Sequence, residues 1–123
     1  MSVTGGRLTT HVLDIMHGCP AAGIRIELFR FDPVTGEAVR VREVVTNGDG
    51  RVDGPMVQPG DLLKARYELV FHAGEYFRQR GVTLADPSFL DTVPVRFGIA
   101  DGDAHYHVPL LLSPWAYSTY RGS

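Results

Sequence analysis

Gly23-Ile24-Arg25-Ile26-Glu27-Leu28-Phe29-Arg30-Phe31 is the stretch that decides the fold. Ile24, Ile26 and Leu28 alternate with Arg25 and Glu27, the period-two pattern of a strand with one buried and one solvated side. Upstream, Leu8 to Ile15 is rich in Thr, Val, Leu and Ile, and closes at the turn cluster His17-Gly18-Cys19-Pro20. Downstream, Asp32 to Glu37 is a turn-rich hairpin link, and Ala38 to Thr46 sets Val39 and Val41 against Arg40 and Arg42. Asn47-Gly48-Asp49-Gly50 holds two turn dipeptides in succession, with a brief strand expected from Arg51 to Asp53. Leu63 to His72, Thr92 to Gly98, His105 to Leu112 and Trp115 to Tyr120 read as further strands. Ala73 to Gly81 is the one helical candidate, stopped by Gly81 as by a C-terminal cap. Seven or eight short strands broken by Gly, Pro, Asn and Asp, with one short helix, predict an antiparallel β-sandwich.

Composition narrows the function classes. A chain of 123 residues fits one domain, 1–123, with 1–7 expected to be flexible. Its 44% hydrophobic content is enough for one core. A net charge of −2, with Arg and Lys scattered, gives no footprint for nucleic acid or an anionic membrane. No apolar run approaches the ~20 residues that span a bilayer. Residues 1–7 lack a secretory apolar stretch. The single cysteine, Cys19, excludes an internal disulfide framework and points to a reducing setting. A cytoplasmic protein is the expectation.

Five histidines carry the chemical interest. Strand periodicity projects His105 and His107 to one face, and His11 to the face of Thr9 and Leu13. On the residues alone three readings stay open: hydrogen-bonded structural histidines, a three-histidine zinc site with water as the fourth ligand, or metal-free acid–base chemistry beside a cation that keeps an imidazole neutral. The end of the chain, Leu110 to Ser123, is apolar and aromatic almost to its last residue. Ends are ordinarily polar and frayed, so this segment is expected to pack in the core or against another subunit.

Three segments together resemble the transthyretin-like family, in its 5-hydroxyisourate hydrolase branch. The first is Leu8-Thr9-Thr10-His11-Val12-Leu13-Asp14 with His17-Gly18 and Pro20-Ala21-Ala22-Gly23. The second is Thr46-Asn47-Gly48-Asp49-Gly50-Arg51. The third is His105-Tyr106-His107-Val108-Pro109-Leu110-Leu111-Leu112-Ser113-Pro114 with Tyr117 to Ser123.

The resemblance implies an all-β, transthyretin-like (prealbumin-like) sandwich of two four-stranded sheets with one short helix at Gly74 to Arg80. It implies a homotetramer with active sites at the dimer–dimer interface. The implied reaction is hydrolysis of the purine-derived 5-hydroxyisourate to 2-oxo-4-hydroxy-4-carboxy-5-ureidoimidazoline in urate degradation, with no cofactor and no metal. The implied catalytic residues are His11, Arg51 and His107; Tyr120, Ser118, Arg121, Gly122 and Ser123 join His11 and Arg51 in contacting substrate. The roles of the two histidines are interchangeable at this level, and His105 has no catalytic counterpart. Transthyretin itself lacks the His, Arg, His set and continues past the tail, so the enzyme branch is expected over the carrier. Trp115-Ala116 departs from the family's commoner smaller aromatic and Gly or Ser.

Overall fold

Period-two alternation becomes a two-layer core in the computed structural model, which describes residues 5–123. The order is β1 (Arg7–Asp14), β2 (Cys19–Pro20), β3 (Arg25–Phe31), β4 (Ala38–Val45), β5 (Ala65–Phe71), α1 (Ala73–Gln79), β6 (Val93–Ile99), β7 (His105–Leu112) and β8 (Tyr117–Thr119). Two four-stranded sheets form, ordered β2-β1-β7-β8 and β4-β3-β5-β6. Ile26, Leu28, Tyr67, Leu69, Phe71, Val93 and Val95 of one sheet bury against Leu8, Val12, Val108, Leu110 and Leu112 of the other. That removal of apolar area from water is the main stabilising term. Among the described residues, no helix is long and apolar enough to cross a membrane.

Several expectations change. β1 and β7 run parallel, Arg7 beside His105 through Asp14 beside Leu112, so the sandwich is not wholly antiparallel. The two strands are far apart in sequence and meet only through the sheet's order. Cys19 and Pro20, expected in a loop, pair with Asp14 and Leu13 as a two-residue edge strand. Arg51 makes a single bridge rather than a strand, and the last strand shortens to Tyr117–Thr119. Val39 and Val41 do not enter the core: β4 is an edge strand, and a bulge opposite Leu28 and Phe29 breaks its alternation. The expected flexible segment 1–7 falls in part outside the described residues; within them, Arg7 already opens β1, and its N–H donates to the Ala104 carbonyl at 3.2 Å.

Helix α1 is short and lacks a side-chain cap at its start. Gly81 follows it with φ +83°, the left-handed stop the sequence predicts. Tertiary contacts hold the helix instead. Phe77 is fully buried, and Tyr76 donates its hydroxyl to Asp14 at 2.8 Å. Asp14 also accepts from the His17 main-chain N–H at 2.9 Å and pairs with His17 Nδ1 at 2.6 Å. Burial by itself would raise the Asp14 carboxyl, but the bonds from His17 and Tyr76 outweigh it and hold the group below its ordinary value.

Candidate active site

The register of β1 on β7 assembles the site. Thr9 stands directly beside His107, and His11 lies two residues further along the same face. Thr9, His11 and Leu13 are half-buried on the outer side of the β2-β1-β7-β8 sheet, while Leu8, Thr10 and Val12 point into the core. On β7, His107 is half-buried and His105 exposed. The hydroxyl of Thr9 bridges them, 2.8 Å from Nδ1 of His107 and 3.0 Å from Nε2 of His105.

Arg51 arrives on the turn that follows β4. The side-chain oxygen of Asn47 accepts from the N–H groups of Asp49 and Arg51, and the Asn47 N–H donates to the Arg51 carbonyl at 2.7 Å. Such local bonding is what makes Asn a turn former. Gly50 then lets the turn lie flat on β1: its carbonyl accepts from the Val12 N–H at 2.9 Å. With φ +73° and a hypothetical Cβ 2.4 Å from the Val12 oxygen, position 50 has room for glycine alone. The result is an antiparallel bridge between Arg51 and His11.

The tail closes the other side. Ser113 to Ala116 form the turn between β7 and β8, the Ser113 N–H donating to the Ala116 carbonyl. The chain continues past β8, and the Gly122 N–H donates to the His107 carbonyl at 2.8 Å. A Cβ on Gly122 would fall 2.6 Å from the His107 ring, so this glycine lets the tail press against the imidazole. Arg121 lies over the Tyr106 ring at 4.2 Å and donates to the His105 carbonyl at 3.2 Å. Ser118, Tyr120, Arg121 and Ser123 are exposed. Leu110 and Leu112 pack in the core, but Trp115, Tyr117 and Tyr120 are 61%, 44% and 60% exposed. Much of the aromatic tail thus has no cover among the described residues.

Electrostatics distinguish His107. Burial lowers its proton affinity first, and the charge of Arg51 lowers it further, with smaller contributions from His105 and His11; a hydrogen bond to the Thr9 main chain opposes them. The net direction is downward from 6.5, which favours the neutral imidazole. Among the described residues, no three His, Cys, Asp or Glu side chains are grouped so as to hold a metal ion.

His11, Arg51 and His107 share one face, but the predicted residues do not share one enclosed pocket. His107, Tyr120 and Arg121 line a pocket of about 350 Å³ with Tyr106 and Thr119. Thr9 and Arg51 line a separate one of about 90 Å³. A larger hollow of about 870 Å³ lies elsewhere, at the β3–β4 turn, and contains none of the predicted residues.

This arrangement can be set beside known proteins. The profile of the "HIUase/Transthyretin family" matches residues 8–122. The chain belongs to that family. A relative from Rhizobium meliloti (strain 1021), "5-hydroxyisourate hydrolase 2", is 61% identical over 119 residues, covering 96% of this chain and 97% of the relative. Among solved structures, Klebsiella pneumoniae 5-hydroxyisourate hydrolase is 34% identical with a TM-score of 0.78, over 96% of this chain and 99% of that one. (S)-allantoin synthase is 51% identical with a TM-score of 0.90, over 99% of this chain. The chain spans 45% of that synthase's length. The sandwich described above is thus the family's fold.

Two residues in the site escaped the sequence reading. Strand periodicity marks Thr9 only as a face-mate of His11, because its place beside His107 is a matter of register that period two cannot supply. The sequence marks Asn47 as a turn former, not as the residue that anchors Arg51. Its position four residues before Arg51, in a turn, was the available signal.

Proposed function

We propose that this protein hydrolyses 5-hydroxyisourate to 2-oxo-4-hydroxy-4-carboxy-5-ureidoimidazoline, a step of urate degradation. One observation carries the reading: His11, Arg51 and His107, from three separate parts of the chain, meet on one sheet face, with the His107 ring favoured neutral beside a cation. The names of the relatives support the substrate. Opening the ring needs a base for water, a donor for the developing oxyanion and an acid for the leaving nitrogen. His107 is the base and then the acid. Of the two histidines it is the one held by Thr9 and pushed toward the neutral form. Arg51 presents a planar fork of donors to the carbonyl oxygen. His11 holds the substrate and passes protons, and Tyr120, Ser118, Arg121, Gly122 and Ser123 shape the cleft.

In this reading four copies assemble, and the exposed Trp115, Tyr117 and Tyr120 are covered where dimers meet, closing the open face into clefts. The mechanism uses no metal, because Arg51 supplies the positive charge. The enzyme works in the cytoplasm, where Cys19 stays reduced.

The test follows freshly generated 5-hydroxyisourate by ultraviolet absorbance. The protein should accelerate its decay far beyond the spontaneous rate, and His107→Asn should lose on the order of 10² to 10⁴ of that rate. A chelator should leave the rate unchanged; loss on chelation, restored by zinc, would revive the metal reading. No acceleration by the folded protein would return a ligand carrier on the same scaffold to first place.

A further inference from the structure

The geometry points to Thr9 as a positioning residue that decides which ring nitrogen of His107 carries the proton. The inference builds on the reading of His107 as the base. Thr9 Oγ1 contacts Nδ1 of His107 at 2.8 Å and Nε2 of His105 at 3.0 Å. A hydroxyl owns one proton, and so does each neutral imidazole. The bridge has two arrangements in which the Thr9 proton stays within it. In one, Thr9 donates to His105 and accepts from Nδ1–H of His107, which leaves Nε2 of His107 bare. In the other, Thr9 donates to Nδ1 of His107, whose proton then sits on Nε2. Only the first arrangement can take a proton from water.

His105 thereby acquires a role without touching substrate: it is the acceptor that draws the Thr9 proton away from His107. Both side chains are restricted in their rotation. Thr9 is a β-branched residue inside the β1–β7 ladder, so its χ1 is restricted. Gly122 presses on the opposite side of the His107 ring, where even a Cβ would collide.

In the step itself, an O–H bond of water breaks and an N–H bond forms at Nε2 of His107. The hydroxide adds to the ring carbonyl carbon while Nδ1–H stays bonded to Thr9. When the C–N bond opens, the Nε2 proton passes to the leaving nitrogen, and His107 returns to its first tautomer.

The experiment labels histidine with ¹⁵N and reads the His107 tautomer by NMR above neutral pH in wild type, Thr9→Val and Thr9→Ser. Wild type and Thr9→Ser should hold the proton on Nδ1, and Thr9→Val should shift it toward Nε2, the form free histidine prefers. In turnover, Thr9→Val should lower kcat by about 10-fold or more with little change in KM, and Thr9→Ser should restore it. If Thr9→Val does not fold, His105→Ala at its exposed position removes the same acceptor and must produce the same shift. A His107 tautomer that ignores these substitutions, or a wild-type proton on Nε2, overturns the inference. A tautomer shift with no turnover in any variant would leave Thr9 in its role and overturn the hydrolase reading instead.

Discussion

His107 is where burial, a cation and a glycine act on one side chain. Its folded-state value lies below the 6.5 of a free imidazole, so the ring stays neutral further into acid than an ordinary histidine does. The acid limb of the kcat/KM profile should accordingly fall on the acid side of ~6.5, with activity lost as pH drops through it. A profile flat through the whole histidine range would remove the histidine base. The same depressed value makes protonation costly to the fold, so its effect on stability is absent above ~6.5 and grows unfavourable as pH falls below it. Gly122 tests position rather than charge. Gly122→Ala places a methyl 2.6 Å from the His107 ring, so either the ring or the tail must move. Since misplacement by about 1 Å can cost on the order of 10² in rate, a loss of that order in kcat with little loss of stability is expected, read by turnover beside thermal melting.

At the level of elements, α1 depends on Asp14. The helix has seven residues, too few to be stable in isolation. Its buried Tyr76 hydroxyl reaches across to the end of β1. Tyr76→Phe leaves the buried carboxylate with one donor fewer and should cost about 1.5–3 kcal/mol, measured as a shift in the denaturation midpoint at unchanged slope. A change below a few tenths of a kcal/mol would show that the link between helix and strand is not stabilising. Asp14 has a lowered folded-state value, so its contribution is complete above the unfolded carboxylate value near ~3.9 and is lost as pH falls through the folded one. The motif residues of β1 were legible in sequence, as was the glycine stop after the helix. The pairing of Tyr76 with Asp14 was not, because nothing in a local pattern says which buried hydroxyl meets which carboxylate across 62 residues.

For the whole molecule, the outer face of the β2-β1-β7-β8 sheet raises the question of assembly. Ile15 is 51% exposed at the end of β1, where its N–H meets the Leu112 carbonyl, and just before it Leu13 and Leu111 stand side by side, half-buried, on that outer face. Apolar groups grouped in this way mark a contact surface. Under the proposed assembly, the mass in solution is roughly four times the 13.5 kDa of one chain. Ile15→Glu should lower that mass and reduce turnover together, as light scattering and the absorbance assay would read. A monomeric wild type with full activity would instead place the whole site within one chain.

Local pattern was enough to specify a β-sandwich with one helix, because side-chain alternation, turn residues and a glycine stop are properties of consecutive residues. It also marked His11, Arg51 and His107, since their motifs survive as strings of letters. Tertiary structure alone decided that β1 lies parallel to β7, that Val39 and Val41 stay outside the core beyond a bulge, and that Thr9 faces His107. Register, sheet order and proton-sharing are relations between residues distant in sequence. They are set by which faces pack together, and a one-residue slip that leaves every local pattern intact would undo them.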